Sequence, residues 1–161
     1  INSINIQIRE TNTDDFDSIM TVENNFGYDK EAQLVADLLA DKTAKPMVSL
    51  LAFYKGEAVG HILFTRAYFD GQGAQQMMHI LHLAVKPEYQ RQGIGGMLIR
   101  AGIERLQEKG SCLVFVLGHK EYYPKNMVLY RMQPGWVILL LPDTGTVLGL
   151  LDGSGNQSEG I

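Results

Sequence analysis

The 161-residue chain has one cysteine, one tryptophan and five prolines, and its 18 acidic residues outnumber its 14 lysines and arginines. A single cysteine excludes an internal disulfide framework, and we expect Cys112, which lies in an apolar run, to be a buried thiol. The net charge of −4 argues against a nucleic-acid partner, because nucleic-acid-binding surfaces need a basic face. A small or positively charged partner suits this composition better.

Long hydrophobic runs are also missing. The longest run, WVILLL at residues 136–141, is far shorter than the roughly 20 residues of a membrane-spanning helix, so we expect no membrane partner. The first residues, INSINIQIRE, contain no basic region followed by an apolar block, which predicts no signal peptide and a cytoplasmic protein. The four histidines have no metal-ligand spacing, and His79 and His82 fall on opposite faces of a strand, so we expect no metal.

The apolar pattern changes period along the chain and predicts the order β-α-α-β-β-β-α-β. An alternating strand at residues 4–9 precedes a helix that Thr13 or Asp14 is expected to cap. A second helix starts near Asp29, and strand-like runs follow at residues 47–54, 58–69 and 76–85. The last helix is predicted to stop at Lys109 and Gly110, ahead of the buried strand CLVFVL.

We predict one domain over residues 1–141 and an atypical tail over residues 142–161. The tail is rich in Gly, Leu, Ser and Thr. The apolar segments WVILLL and TVLGLL flank the turn-like PDTG, which makes a terminal hairpin one interpretation of this end.

The stretch EYQRQGIGGMLIRAG holds three glycines within four residues, followed at once by a helical pattern. Free amides and the positive end of the helix dipole make such a start suitable for an anion, above all phosphate. A Walker loop is excluded because no Gly-Lys-Ser/Thr follows. A dinucleotide fingerprint fits poorly, because Leu98 stands where the third glycine belongs.

The longer pattern LAVKPEYQRQGIGGMLI resembles motif A of the GNAT superfamily of acyl-CoA-dependent N-acyltransferases. The element order resembles that fold too, so the likeness covers residues 4 to about 125. It implies a three-layer α/β fold, with a mixed, mostly antiparallel central sheet flanked by helices and an atypical C-terminal end. It also implies that loop amides bind the diphosphate of acetyl-CoA and that a splayed strand binds its pantetheine arm. The implied cofactor-binding residues are Leu83, Ala84, Val85, Gln90, Arg91, Gln92, Gly93, Ile94, Gly95 and Gly96.

The same resemblance suggests catalytic residues. Tyr123, in EYYPK, matches the start of a family stretch whose tyrosine often acts as general acid; the alternative is a packing aromatic. His79 stands where some relatives carry a glutamate base; the alternative is a core histidine bonded to backbone. Phe26, Tyr28 and Tyr68 are candidates to line the acceptor site, or to serve only in packing.

After Lys125 the family's Gly-Phe is absent. Residues 126–130, NMVLY, can be encoded by codons that read Tyr-Gly-Phe-Ile when taken one base out of step. We therefore hypothesise a frame change near Lys125, which would account for the atypical tail.

The resemblance implies an N-acetyltransferase that moves acetyl from acetyl-CoA to a primary amine of a small molecule or protein, by direct attack in a ternary complex. One alternative is a non-catalytic acyl-CoA-binding module whose activity was lost through the altered C-terminus. A second is an unrelated nucleotide-binding domain. The acceptor is not identified, and both a monomer and a homodimer are compatible with the sequence.

Overall fold

The computed structural model describes residues 5–25, 29–68 and 77–117, together with the short pieces 129–130, 137–141, 150–151 and 157–158. No helix within these residues is long and apolar enough to cross a membrane. The elements are β1 (Ile6–Glu10), α1 (Phe16–Asn25), α2 (Asp29–Ala40), β2 (Val48–Tyr54), β3 (Glu57–Ala67), β4 (Met77–Val85), α3 (Ile94–Glu108), β5 (Ser111–Leu117), β6 (Leu129–Tyr130), β7 (Val137–Leu141), β8 (Leu150–Leu151) and β9 (Gln157–Ser158).

Within the described residues, the central sheet has seven strands in the order β1-β2-β3-β4-β5-β7-β6. Neighbouring strands from β1 to β4 are antiparallel. The pairs β4–β5 and β5–β7 are parallel, and β6 pairs antiparallel with β7. The predicted mixed, mostly antiparallel sheet and the predicted element order through β5 are therefore confirmed.

Helices cover both faces of this sheet. Helix α3 packs through Leu98, Ile99 and Ile103 on the face that carries Ile62 and Phe64 of β3. The opposite face meets α1 and α2 through a second cluster, whose buried members are Ile19, Val22, Val35, Leu51, Leu63 and Ala84. The three-layer architecture follows from this alternation, because successive strand residues point to opposite faces.

The first helical segment is capped one residue earlier than expected. Asn12, rather than Thr13 or Asp14, is the N-cap, and its side chain accepts a hydrogen bond from the Asp14 amide. The Asp15 carboxylate accepts from the Asn12 amide in return, completing a capping box. Thr13 to Asp15 form a 3₁₀ turn that leads into α1, so the expected cap residues lie inside the turn.

Helix α3 ends as the sequence predicts. Lys109 is its C-cap, and Gly110 follows with a φ of 87°, the left-handed conformation of a C-terminal glycine. In the middle of the helix, a Cβ atom on Gly102 would overlap the ring of Phe64. Gly102 therefore lets α3 approach the sheet closely.

The C-terminal pieces that the structure describes form three strand pairs. In the part of the chain that the structure describes, β7 pairs with β5 on one edge and β6 on the other, while β8 pairs with β9. Most of the segment TVLGLL lies outside the described residues, so the terminal hairpin stays a prediction. Whether the tail arose by a frame change stays a hypothesis.

Candidate functional site

The glycine loop, at residues 91–96, leads into α3 without a capping side chain. Gly93 is the N-cap of α3, with φ 87° and ψ 0°. No side chain makes a capping hydrogen bond at this end of the helix. Arg91 also has a positive φ, of 63°. The first turn of α3 contains no acidic residue. The positive end of the helix dipole is therefore not neutralised by a carboxylate of that turn.

The backbone amides of this loop form an unused row of donors. Met97 makes the first hydrogen bond of the helix, from its amide to the Gly93 carbonyl at 3.1 Å. Within the described residues, none of the amides of residues 91–96 donates a hydrogen bond. Consecutive free amides around left-handed residues make a concave site for an anion. Diphosphate oxygens are well suited to it.

The three glycines of the loop have different roles. Gly93 supplies the left-handed turn. A Cβ on Gly95 would lie 3.2 Å from Cδ2 of Leu83, so this glycine lets the helix start approach β4. A Cβ on Gly96 would meet no atom within 4 Å, so Gly96 opens onto free space. Room for a ligand therefore lies beside Gly96.

The pairing of β4 with β5 in the described chain ends next to this loop. The β4–β5 ladder ends at the pair Leu81 and Val116, although β4 continues to Val85 and β5 to Leu117. On the other edge β4 stays paired with β3 as far as Val85. Residues 82–85 thus have no ladder partner on the β5 side within the described chain. An unpaired strand edge can accept an extended ligand as an added strand, and the splay that the family resemblance implies stays a prediction.

The side chain of Gln90 ties the loop to this strand. Its Nε2 donates to the Val85 carbonyl at 2.9 Å, so that carbonyl is already engaged. Gln92 donates more weakly, to the Glu88 carbonyl at 3.3 Å. Both glutamines therefore shape the loop, and the Val85 carbonyl already accepts a hydrogen bond from Gln90.

Glu57, Lys86 and Tyr89 form a hydrogen-bonded group, here called the Glu57 brace, which connects the start of β3 with the loop before α3. It was not identified from the sequence. Glu57 accepts hydrogen bonds from the Tyr89 hydroxyl at 2.9 Å and from Lys86 Nζ at 3.2 Å. These bonds, Tyr89 first, lower the pKa of Glu57, although its side chain is 51% exposed. The ring of Tyr89 also packs against Tyr54, with centroids 5.9 Å apart. Glu57 directly follows Gly56 of a turn, a position typical of a solvated residue, and no local signal links it to residues 86 and 89.

His79 is enclosed within the protein. It is fully buried; its Nε2 donates to the Pro46 carbonyl at 2.7 Å, and its Nδ1 lies 2.6 Å from the Ser111 hydroxyl. Burial is the main cause that lowers its pKa. Since both ring nitrogens are engaged, the geometry fits the core alternative, and a role as base stays a prediction without geometric support.

The other candidate residues differ in what the structure says of them. Tyr123, Phe26 and Tyr28 lie outside the described residues. Tyr68 is 67% exposed, its hydroxyl donates to the Thr43 carbonyl at 3.2 Å, and the Arg66 guanidinium lies 4.6 Å from its ring centroid. Its part in acceptor binding stays a prediction. Among the described residues, no three His, Cys, Asp or Glu side chains are grouped as metal ligands would be.

Comparison with known proteins agrees with this geometry. Residues 8–132 match the sequence model of the Acetyltransferase (GNAT) family. The chain is 57% identical over 118 residues to the uncharacterized N-acetyltransferase YjhQ of Escherichia coli K12, covering 72% of this chain and 65% of YjhQ. It is 30% identical over 105 residues to the uncharacterized N-acetyltransferase YhbS of the same strain, covering 65% of this chain and 61% of YhbS. The chain thus spans less than two thirds of the length of these relatives.

Solved structures give the same grouping. A GNAT family acetyltransferase from Brucella melitensis, in complex with acetyl-CoA, superposes with a TM-score of 0.65 at 31% identity over 78% of this chain and 83% of its own. YhbS from Escherichia coli, in complex with CoA, superposes with a TM-score of 0.65 at 28% identity over 76% of this chain and 68% of its own. With the family match over most of the chain, these findings establish that the protein belongs to the GNAT family of acetyltransferases.

Proposed function

We propose that the protein is an acetyl-CoA-dependent N-acetyltransferase that acts on a primary amine of a small molecule or protein in the cytoplasm. One observation carries the proposal: amides without a hydrogen-bond partner in the described chain lie at the start of α3, where a Cβ on Gly96 would meet no atom, and they follow directly after the end of β4. The complexes of the two related acetyltransferases with acetyl-CoA and CoA support the same ligand.

In this proposal the diphosphate lies on the amides of residues 91–96, and the pantetheine arm follows the backbone of Leu83, Ala84 and Val85. Hydrogen bonds from neutral amides to a charged group contribute about 1.5–3 kcal/mol each, so several suffice to anchor the coenzyme. Gln90 acts through the loop, because its side chain holds the Val85 carbonyl.

The reaction is direct attack of the amine on the thioester in a ternary complex. An amine with a pKa of about 10.4 has to lose its proton first, at a cost of about 4–5 kcal/mol at pH 7. Tyr123 is proposed to protonate the departing thiolate. We do not assign the amine proton to His79, since both of its ring nitrogens are hydrogen-bonded inside the protein.

The binding half of the proposal is tested by Gly96→Val. Its branched side chain enters space that is empty in the protein, so the fold should survive while the diphosphate is displaced. We expect calorimetry to show at least a tenfold weaker Kd for acetyl-CoA, about 1.4 kcal/mol. Gly93→Val is a poorer probe, because a φ of 87° strains a branched residue whatever is bound.

Gln107→Val is the matched control, since it places valine in the last turn of the same helix. Its acetyl-CoA affinity should equal that of the wild type. If folded Gly96→Val protein also keeps wild-type affinity, the diphosphate does not lie on this loop.

The catalytic half is tested by thiol release from acetyl-CoA in the presence of a panel of primary amines. Release that depends on the amine supports the transferase. The alternative, a non-catalytic acyl-CoA-binding module, is favoured by the departure from the family pattern after Lys125. Tight acetyl-CoA binding without release with any amine of the panel would support that alternative. Sedimentation at several concentrations distinguishes the monomer from the homodimer.

A further inference from the structure

The glycine loop begins with a residue in a conformation that is unfavourable for it. Arg91 has a φ of 63°, in the left-handed region that residues with a Cβ atom rarely adopt. Such conformations persist only where the surrounding structure fixes them, and they are common at sites that hold a ligand. The side chain of Arg91 is exposed, so its packing does not fix the backbone. The residues on either side of Arg91 therefore have to do so.

The C-terminal end of the loop is fixed by α3. Ile94 is buried in the core cluster under this helix, and the Met97 amide donates to the Gly93 carbonyl at 3.1 Å. From Gly93 onward the chain thus follows the helix, which packs on the sheet. The segment that the helix does not fix consists of residues 90–92, and its conformation depends on how the chain enters from Tyr89.

The N-terminal end of the loop is fixed by the Glu57 brace. The two carboxylate oxygens of Glu57 each accept one hydrogen bond, Oε2 from the Tyr89 hydroxyl at 2.9 Å and Oε1 from Lys86 Nζ at 3.2 Å. Lys86 is itself buried, and its amide donates to the Val59 carbonyl of β3 at 2.9 Å. The Tyr89 amide donates to the Lys86 carbonyl at 2.8 Å. One carboxylate at the start of β3 therefore holds both ends of the turn at residues 86–89.

The bond between Glu57 and Tyr89 adds a direction that packing does not supply. The ring of Tyr89 lies at the edge of the core cluster and contacts Tyr54 at a tilt of 57°. Apolar contacts of this kind are non-directional, whereas a hydroxyl that donates to a carboxylate fixes an orientation. The bond therefore sets the orientation of Tyr89, and with it the direction in which the chain enters residues 90–92.

We propose that Glu57 is a positioning residue for coenzyme binding: through Tyr89 it holds residues 90–92 in the shape that presents the loop amides before the ligand arrives. This inference rests on the proposed function. A loop that adopts its binding shape for only a fraction of the time binds with an affinity reduced by that fraction. Loss of the brace therefore weakens acetyl-CoA binding without removing a group that touches the coenzyme.

The test measures the Kd of acetyl-CoA by calorimetry in Tyr89→Phe, in Glu57→Ala and in the double variant. Tyr89→Phe keeps the ring and removes only the hydroxyl. Each single change should weaken binding about fivefold, which corresponds to about 1 kcal/mol. Both changes remove the same bond, so the double variant should also lose about fivefold, whereas independent effects would multiply to about 25-fold. Wild-type affinity in both folded single variants, or a multiplied loss in the double variant, would overturn the proposal.

Two matched variants serve as controls. Glu57→Gln keeps an oxygen that accepts from the Tyr89 hydroxyl, so it should retain more of the affinity than Glu57→Ala does. Tyr54→Phe removes a hydroxyl that lies outside the brace from the ring that packs on Tyr89. Its acetyl-CoA affinity should equal that of the wild type. An equal loss in Tyr54→Phe and Tyr89→Phe would assign the effect to the aromatic contact and overturn the role of Glu57.

Limited proteolysis of the free protein tests the loop without any ligand. Trypsin cleaves after Arg91 only when the loop opens locally, and the rate follows the population of the open form. Mass spectrometry should show faster cleavage at Arg91 in Tyr89→Phe than in the wild type. Arg100, within α3, is the internal reference, and its cleavage should not change. A merely structural role for the brace predicts faster cleavage at both positions, which would overturn the proposal.

The possible failures are distinguishable. If the wild-type protein does not bind acetyl-CoA, the proposed function fails and this inference fails with it. If the wild type binds acetyl-CoA and Tyr89→Phe is cleaved faster at Arg91 but keeps its affinity, the shape of residues 90–92 does not control binding. That result overturns the inference about Glu57 and leaves the proposed function intact.

Discussion

The two faces of the central sheet differ sharply where β3 and β4 run side by side. The face under α3 is apolar, and Ile62, Phe64 and Leu81 on it are fully buried against the helix. The face under α1 carries His61 and His82 among its apolar residues. Glu23 of α1 is hydrogen-bonded to His61 on this face. Both faces belong to the same two strands. Alternate residues along each strand therefore lie in an apolar environment or beside buried polar groups.

The two faces therefore contribute differently to the fold. Close apolar packing at Gly102 sets the position of α3, and with it the amides at the helix start. The polar face tolerates buried titratable groups because each nitrogen of His61 has a partner. The apolar side thus positions the start of α3, where we propose the anion to bind, and the polar side contains buried titratable groups. The following substitutions test that division.

Glu23→Leu should have the largest effect, on the polar face. It leaves Nδ1 of buried His61 without its 2.8 Å partner, and an unsatisfied buried polar group costs up to about 3 kcal/mol of unfolding free energy. Urea unfolding measures the change. Adding His61→Leu in the same protein should recover part of the loss, because an apolar pair needs no partner. A double variant that is less stable than Glu23→Leu alone would show that the pair is not the source of the effect.

Gly102→Ala tests the apolar face. The added Cβ overlaps the ring of Phe64, so we expect a net loss of about 1–3 kcal/mol despite the better helix propensity of alanine. Gly96→Ala is the matched control in the same helix, because its Cβ meets open space; it should be neutral or gain up to about 1 kcal/mol. Equal stabilities for the two variants would mean that the close contact of Gly102 with Phe64 does not determine how α3 packs on the sheet.

The pH dependence of stability should show the smallest effect. The pKa of His82 is lowered to about 4 in the folded protein, against about 6.5 when unfolded, so the unfolded chain binds the proton first. Stability should therefore be full above about pH 6.5 and fall as the pH drops toward 4. We expect a loss of about 1–2 kcal/mol, after allowing for the partial exposure of the ring. His82→Gln should flatten this dependence, and an unchanged slope would point to other groups.

Much of the fold was predictable because its signals are local. The period-two runs of β2 to β4, the stripe of α3 and the stop at Lys109 and Gly110 depend on neighbouring residues, and the structure confirms them. Asn12 was missed as a cap because Thr13 and Asp14 are equally good cap formers, and only the backbone conformation decides between adjacent candidates.

The sequence by itself determined the glycine loop, its helix and the family to which the chain belongs, since these depend on residue type and short spacing. Only the tertiary structure decided that His79 is fully enclosed and that His82 is partly exposed. That outcome depends on where the β4–β5 ladder ends and on the register of β3 with β4, because a shift of one residue exchanges the faces. Strand pairing, helix packing on Gly102 and the Glu57 brace join residues far apart in the chain, and no local pattern encodes such contacts.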